Sequence, residues 1–304
     1  MSRRLHILLR IALLTALFAL GAFAEDRYVV KVTGDVNTIA KRYGLTVVKS
    51  LTGSAAGRHV LASTGADPKT VLRNLLSEFA VNSAEVEQPV RLPGIQAAGA
   101  VHPAGAPAAA SSISSTLIRY YGTYAASAYV NQPATDVINM DLAHTLATGA
   151  GIVATIDTGA DFAHSVLRGS LTWGWDFVNG WPLGQEQADV NQETTPILDQ
   201  ETTPILDGKK YPAYGHGTMV AGLIHLVAPD AKIMPLRAFG ADGSASISQI
   251  VQGIYFAVDR GVNVINMSFS VKQDSPTLKA ALDYAASQGV ICVASAGNDG
   301  QAIQ

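Results

Sequence analysis

The chain has 304 residues, 48% hydrophobic and 15% charged, which excludes wholesale disorder and allows about two domains with a sizeable core. Its formal net charge is −3 and no cluster of Lys and Arg stands out, so we expect no nucleic-acid partner. The single cysteine, Cys292, excludes an internal disulfide. Because Cys292 lies in an apolar run, we expect it to be a small buried core residue.

Residues 1–24 have the pattern of a secretory signal peptide. A short apolar run, Ile11–Leu20, follows a positively charged start and precedes a small-x-small cleavage pattern at Ala22-Phe23-Ala24. The alternative is a membrane anchor, but the apolar stretch is shorter than the roughly 20 residues that span a bilayer. We therefore expect secretion to the extracellular space or the periplasm, with no membrane anchor after signal cleavage.

Residues 25–92 are predicted to form a small α+β unit. Strand-like and helix-like segments follow one another in the order βαββαβ, which is a compact ferredoxin-like pattern. The helix predicted over Pro68–Phe79 is expected to carry one apolar face, formed by Val71, Leu72, Leu75, Leu76 and Phe79. A last strand region is expected over Val81–Leu92. Residues 93–115 are rich in Ala, Gly, Pro and Ser and predict a linker.

Residues 116–304 are predicted to form an α/β domain. From Asp141 onward, strands and helices alternate, and the strands are nearly continuous apolar runs such as Gly151–Asp157. Such runs are typical of a sheet covered on both faces, so the alternation predicts a doubly wound parallel sheet. A direct repeat within residues 192–207 lies in a polar stretch, and we interpret it as a surface-loop duplication without function, the alternative being a loop that contacts substrate or a metal ion.

Asp157 and His216 are the first candidate catalytic residues. Asp157 ends an apolar strand, and sites in open parallel sheets form at the carboxyl ends of strands. His216 lies in Gly215-His216-Gly217-Thr218, where a helix is predicted to begin. If the two side chains meet above the sheet, the aspartate holds the histidine tautomer while the other ring nitrogen takes a proton from a nucleophile. The two motifs together therefore predict an acid–base pair.

Asn298 is the third candidate. It lies in Ser295–Gly300, directly after a predicted strand. An asparagine held on such a turn can aim its side-chain amide at a developing oxyanion. Asn298 is therefore a candidate oxyanion donor.

Five blocks of the sequence, in this order, resemble those of the subtilisin-like serine proteases (subtilases, peptidase family S8). They are Val153–Gly159, Gly215–Gly222, Ala228–Ile233, Asn263–Ser268 and Ala294–Asn298. The resemblance implies an α/β, subtilisin-like doubly wound parallel sheet, C-terminally incomplete, over residues 116–304. It also implies that residues 25–92 are a ferredoxin-like inhibitory prosegment, which would bind the peptidase domain until its removal.

The same resemblance implies roles for individual residues. Asp157 and His216 would be two members of an Asp-His-Ser triad, and Asn298 the oxyanion donor. Substrates would be proteins or peptides, bound by Ser268, Phe269, Ser270, Ala296 and Gly297. No cofactor is required for this chemistry.

Two departures from the family pattern matter. The nucleophile block, Gly-Thr-Ser-Met-Ala or close to it, belongs downstream of Asn298, and no Gly-Thr-Ser occurs in these 304 residues. We therefore expect the serine to lie beyond the end of this chain and the chain alone to be inactive. Val166 stands where the family often has a calcium-ligating aspartate, so no metal site is assigned and a structural calcium ion is unsupported.

The sequence leaves three alternatives. An aspartic protease also uses Asp-Thr-Gly, but it needs two such aspartates on an all-β fold. A dinucleotide-binding loop is suggested by Gly149-Ala150-Gly151, but these glycines precede their strand instead of following it. The third alternative is a catalytically inactive fragment whose prosegment acts as a protease inhibitor or folding assistant.

Overall fold

The computed structural model describes residues 25–94, 116–186, 211–271 and 273–297. The predicted signal peptide, all of the linker after Gly94, the repeat at 192–207 and Asn298 lie outside the described residues. Within the described ranges the chain divides into two compact units. The first holds residues up to Leu51 together with Gly57–Glu87, and the second holds Thr52–Ala56 and the residues from Gln88 onward.

The first unit is a four-stranded antiparallel sheet with two helices. Its elements are β1 (Glu25–Val32), α1 (Val36–Arg42), β2 (Thr46–Ser50), β3 (Arg58–Thr64), α2 (Pro68–Leu76) and β4 (Val81–Val86). The strand order β2-β3-β1-β4 is that of a ferredoxin-like unit. The predicted βαββαβ pattern is confirmed.

Both helices of this unit begin where the sequence provides an aspartate as N-cap. The Asp35 carboxylate accepts the backbone N–H of Asn37 at 3.0 Å, and the Asp67 carboxylate accepts that of Thr70 at 2.9 Å. Such caps satisfy amide groups that have no partner within the helix. Pro68 then occupies the first turn of α2, where its missing N–H is tolerated.

The apolar face predicted for the second helix was too long. Val71 and Leu75 are buried, whereas Leu76 is 55% exposed and Phe79 is fully exposed. The helix ends at Leu76, so Phe79 no longer follows the helical spacing that placed it on the buried face. The core of the unit is filled without these two side chains.

The second unit contains the remaining elements. In chain order they are a 3₁₀ turn (Gly53–Ala55), β5 (Pro89–Arg91), β6 (Leu117–Tyr120), β7 (Thr123–Ala126), α3 (Ser127–Val130), α4 (Pro133–Val137), α5 (Met140–His144), β8 (Ile152–Asp157), β9 (Trp175–Asp176), β10 (Trp181–Pro182), α6 (His216–Val227), β11 (Lys232–Arg237), β12 (Ser244–Ser246), α7 (Ile247–Asp259), β13 (Val264–Met267), α8 (Pro276–Ser287) and β14 (Ile291–Ala294). The main sheet has the order β10-β9-β11-β8-β13-β14. All its pairings are parallel except that of β10 with β9.

Helices cover both faces of this sheet. Leu236 is aligned with Ile156 on the neighbouring strand, and α7 lies so close to Ile156 that a Cβ added to Gly253 would be 3.3 Å from it. Ile233 points to the opposite face, because it is three positions from Leu236 on the same strand. There it packs against Ala221 of α6. The predicted doubly wound parallel sheet is confirmed.

The strand region expected over Val81–Leu92 is two separate strands. β4 pairs with β1, whereas β5 pairs antiparallel with β12, placing Val90 opposite Ala245. The sheet of the first unit therefore ends with β4. The sequence pattern showed a strand here but not its partner, which is about 150 residues away along the chain.

Cys292 is half-buried, so the expected core position was wrong. Among the described residues, β14 pairs only with β13 and forms an edge of the main sheet. Its flanking residues Ile291 and Val293 are 62% and 48% exposed. An apolar run indicates a strand, but it does not reveal whether that strand has neighbours on both sides.

Candidate active site

The site begins with Asp157, at the carboxyl end of β8. Its side chain is fully buried, and its Oδ1 accepts the backbone N–H of Thr158 at 2.7 Å. The turn continues through Gly159, which has φ +101°. A side chain there would be strained by this backbone conformation and would also lie 2.5 Å from the carbonyl oxygen of Gly184. The Asp-Thr-Gly sequence therefore forms a tight turn around a buried carboxylate.

His216 is brought to Asp157 by the start of α6. Its Nδ1 lies 2.7 Å from Oδ1 of Asp157, and its side chain is 18% exposed. The helix approaches so closely that a Cβ at Gly217 would be 2.1 Å from the carbonyl oxygen of Gly159. Glycine at 217 is therefore required for the two motifs to meet. The structure therefore brings the two predicted residues together.

The contact with Asp157 determines how the imidazole behaves. The hydrogen bond to the Asp157 carboxylate, followed by its negative charge, raises the pKa of His216 above its ordinary value, while burial of the ring opposes this. With Nδ1 donating to the carboxylate, Nε2 is the nitrogen left to exchange a proton with a reacting group. This is the arrangement of a general base held in one tautomer.

A second carboxylate, Glu186, lies in the same network and was missed by the sequence analysis. It is 2% exposed and accepts hydrogen bonds from the backbone N–H of Gly215 at 2.7 Å and from Oγ1 of Thr158 at 2.5 Å. Oγ1 of Thr218 donates to its other oxygen. Burial raises the pKa of Glu186 to about 7, although these hydrogen bonds favour the charged form. No sequence motif points to Glu186, which lies in a loop well before His216.

The predicted substrate-binding residues lie at the carboxyl ends of neighbouring strands. Ser268, Phe269 and Ser270 follow β13, and Ala296 and Gly297 follow β14. Ser268 accepts a hydrogen bond from the Asn266 side chain at 2.9 Å. Since parallel strands end on the same edge of a sheet, these residues share that edge with Asp157.

Phe269 differs from its exposed neighbour Ser270. Its side chain is only 3% exposed, and its ring packs at 5.2 Å from that of Phe239, which follows β11. The pair forms an apolar wall after the carboxyl ends of β11 and β13. Any contact that Phe269 makes with a ligand is therefore through its backbone or through this wall.

Strand β12 is paired along one edge with β5. Besides the β5 pairing, the N–H of Leu92 donates to Gly243 O at 3.0 Å and that of Ile247 to Gln88 O at 3.2 Å. Val90 and Leu92 are 3% and 1% exposed, whereas Pro89 and Arg91 face outward. This edge therefore accepts an extended chain with alternate buried side chains.

The described residues hold no group of three or more His, Cys, Asp or Glu side chains placed to bind a metal ion. Val166 packs against the apolar cluster of Tyr120 and Leu226, so its position does not fit a cation. His164 is exposed on a turn and takes no part in the site. No helix among the described residues is long and apolar enough to cross a membrane.

Comparison with known proteins gives several sequence relatives. Residues 148–304 match the Peptidase_S8 model, described as the subtilase family. The thermophilic serine proteinase of Bacillus sp. (strain AK1) is 33% identical over 148 residues, covering 49% of this chain and 33% of that protein. Subtilisin Savinase of Lederbergia lenta is 35% identical over 163 residues, covering 50% of each. The chain thus spans a third to a half of the length of these relatives.

Solved structures resemble the fold. Fervidolysin from Fervidobacterium pennivorans, a keratinolytic enzyme related to subtilisin, aligns with a TM-score of 0.59 and 22% identity, covering 92% of this chain and 40% of that one. The epidermin leader peptide processing serine protease of Staphylococcus aureus aligns with a TM-score of 0.55 and 19% identity, covering 91% and 61%. Because the family match covers just over half of the residues and contains both Asp157 and His216, the chain belongs to the subtilase family of serine peptidases.

Proposed function

We propose that this chain supplies the aspartate and histidine of a secreted serine endopeptidase that hydrolyses peptide bonds in proteins or peptides. The observation that carries the proposal is the 2.7 Å contact between Nδ1 of His216 and Oδ1 of the buried Asp157. A buried carboxylate that fixes one imidazole nitrogen leaves the other free to act as a general base. Membership of the subtilase family supports this assignment.

In the proposed mechanism, Nε2 of His216 removes the proton from a serine hydroxyl as that oxygen attacks the substrate carbonyl. Asp157 stabilises the imidazolium that forms, and the imidazolium then protonates the leaving amine. Asn298 would donate its side-chain amide to the oxyanion, a contribution of about 10² to 10³ in rate as measured in subtilisin itself. The serine belongs to a nucleophile block that these 304 residues do not contain.

The prosegment and the route of export are part of the proposal. The β5–β12 pairing supports a zymogen in which the chain before the linker occupies the edge where a substrate strand would bind. The signal-like pattern of residues 1–24 supports secretion. No cofactor enters the chemistry.

The test is covalent labelling of the polypeptide that carries this chain together with its nucleophile block. We expect a fluorophosphonate to label one serine and to abolish peptide hydrolysis. Asp157→Asn should lower hydrolysis by about four orders of magnitude without preventing folding. Inhibition by pepstatin, with no labelling, would instead indicate an aspartic protease.

The fit of residues 89–91 to β12 also suggests a second function, in which the 304-residue chain releases this segment from β12 and inhibits related proteases with it. Adding it to Subtilisin Savinase tests this idea. Nanomolar inhibition that is lost on substitution Leu92→Asp would support it. Equal peptidase activity of Subtilisin Savinase with and without the 304-residue chain would contradict it.

A further inference from the structure

Glu186 is hydrogen-bonded to both the Asp157 turn and the start of the His216 helix, and these hydrogen bonds do not involve the imidazole. Its Oε1 accepts from Thr158, in the turn that holds Asp157, and from the backbone of Gly215, directly before His216. Its Oε2 accepts from Thr218, in the first turn of α6. One carboxylate therefore joins the end of β8 to the beginning of the helix that carries the histidine.

The two threonines extend this connection to the backbone. Oγ1 of Thr158 accepts the N–H of Gly217 at 2.9 Å, so its proton is free to donate to Glu186. Oγ1 of Thr218 accepts the N–H of Asp161 at 2.8 Å, with the same consequence. Within the described residues, the groups hydrogen-bonded to the carboxylate oxygens are thus all donors, which matches a charged, acceptor-only carboxylate.

We propose that Glu186 is a positioning residue that holds His216 against Asp157 and whose negative charge stabilises the protonated imidazole. Any effect of Glu186 on catalysis rests on the proposed peptidase function, whereas its effect on the His216 ring does not. Glu186 is buried, and a buried charge acts over a longer distance than an exposed one.

The neighbouring charges support the same interpretation. Asp157 and Glu186 both raise the pKa of His216, after the hydrogen bond to Asp157. Glu186 itself has a pKa raised to about 7, by burial first and partly by Asp157. Tyr214, whose pKa burial raises to about 12 with contributions from Glu186 and Asp161, stays neutral over the working range. The pKa values of Glu186 and His216 are therefore both raised, and each group contributes to the electrostatics of the other's surroundings through Asp157 or directly.

Two substitutions separate charge from geometry. In Glu186→Gln, the amide oxygen can still accept from Gly215 and Thr158, and its NH₂ group can donate to the Thr218 hydroxyl, so the charge is lost and only the hydrogen bond with Thr218 is reversed. Glu186→Ala removes both the charge and the acceptors. Asp176→Asn is the matched control, because Asp176 is 1% exposed and bonded to Arg237 at 2.6 Å, outside this network.

The experiment is an NMR titration of the His216 ring in the 304-residue chain. Glu186→Gln should lower the His216 midpoint, by less than Asp157→Asn does, and Asp176→Asn should leave it unchanged. In Glu186→Ala, amide exchange at Gly215 should also accelerate about tenfold, as expected for the loss of one hydrogen bond. An unchanged midpoint in Glu186→Gln would overturn the proposal.

The wild-type chain gives a second measurement that needs no variant. The His216 ring signal should show an inflection that coincides with titration of the Glu186 carboxyl carbon, and the absence of such an inflection would also contradict the proposal. Neither readout depends on peptide hydrolysis. If the proposed peptidase activity failed, the effect of Glu186 on His216 would still be tested on its own.

Discussion

At the scale of single residues, close packing between two turns determines whether the side chains of Asp157 and His216 meet. Gly217 faces the carbonyl oxygen of Gly159 at a distance that leaves no room for a side chain. Gly222, in the same helix, would place a Cβ 3.9 Å from the Tyr129 ring, which is an ordinary contact. The two glycines therefore provide a matched pair for substitution.

We predict that Gly217→Ala destabilises the second unit by at least about 2 kcal/mol, because overpacking forces the backbone apart. Gly222→Ala should be neutral or stabilise it by up to about 1 kcal/mol, since alanine is the better helix former. Urea unfolding of each variant measures both effects. Equal stability of the two variants would contradict the close approach of α6 to the Asp157 turn.

The buried carboxylate of Glu186 gives a pH dependence whose sign follows from its pKa. Since folding raises this pKa from 4.5 to about 7, the folded state binds more protons than the unfolded state between these values. Stability therefore falls as pH rises through this interval, by roughly 3 kcal/mol at about 1.4 kcal/mol per pH unit. The pKa of His216 is also raised on folding. The stability that this rise contributes is likewise lost as pH rises through the folded-state pKa of His216.

The prediction is that wild type loses more stability between pH 5 and pH 8 than Glu186→Gln does. The glutamine cannot ionise, so the contribution of Glu186 is absent from the variant, and the smaller rise of the His216 pKa expected there changes the pH dependence in the same direction. Urea midpoints at the two pH values provide the comparison. Identical pH dependence in both proteins would show that Glu186 is already charged throughout the range.

At the scale of elements, local sequence predicted most helices and strands but not all of their partners. Hydrophobic periodicity and aspartate caps define α1 and α2 from nearby residues alone. The division of the region 81–92 and the half-buried state of Cys292 depend on contacts far along the chain. Glu186 was missed for the same reason, because its three partners are brought to it only by folding.

The β5–β12 pairing can be tested through the side chain that anchors it. Leu92→Ala should raise amide exchange over residues 88–92 by at least about 30-fold, because truncating a buried leucine costs about 2 kcal/mol or more. Arg91→Ala, at an exposed position of the same strand, should leave exchange unchanged. Equal protection in both variants would show that Leu92 does not hold the segment.

At the scale of the whole molecule, the described chain joins a ferredoxin-like unit to a larger α/β unit that carries the Asp157–His216 pair. The sequence motifs indicated that these two residues would meet, because each lies at the end of one element whose type is evident from local pattern. Family membership then places the pair in a group of serine peptidases. The central claim is that His216 is the general base of such an enzyme.

The most direct test is peptide hydrolysis by the polypeptide that carries this chain and its nucleophile block. His216→Ala should lower kcat by about 10⁶, the loss measured for the corresponding histidine in subtilisin itself. His164→Ala, at an exposed position outside the site, should retain full activity. Hydrolysis that survives His216→Ala, or falls equally in both variants, would contradict the account.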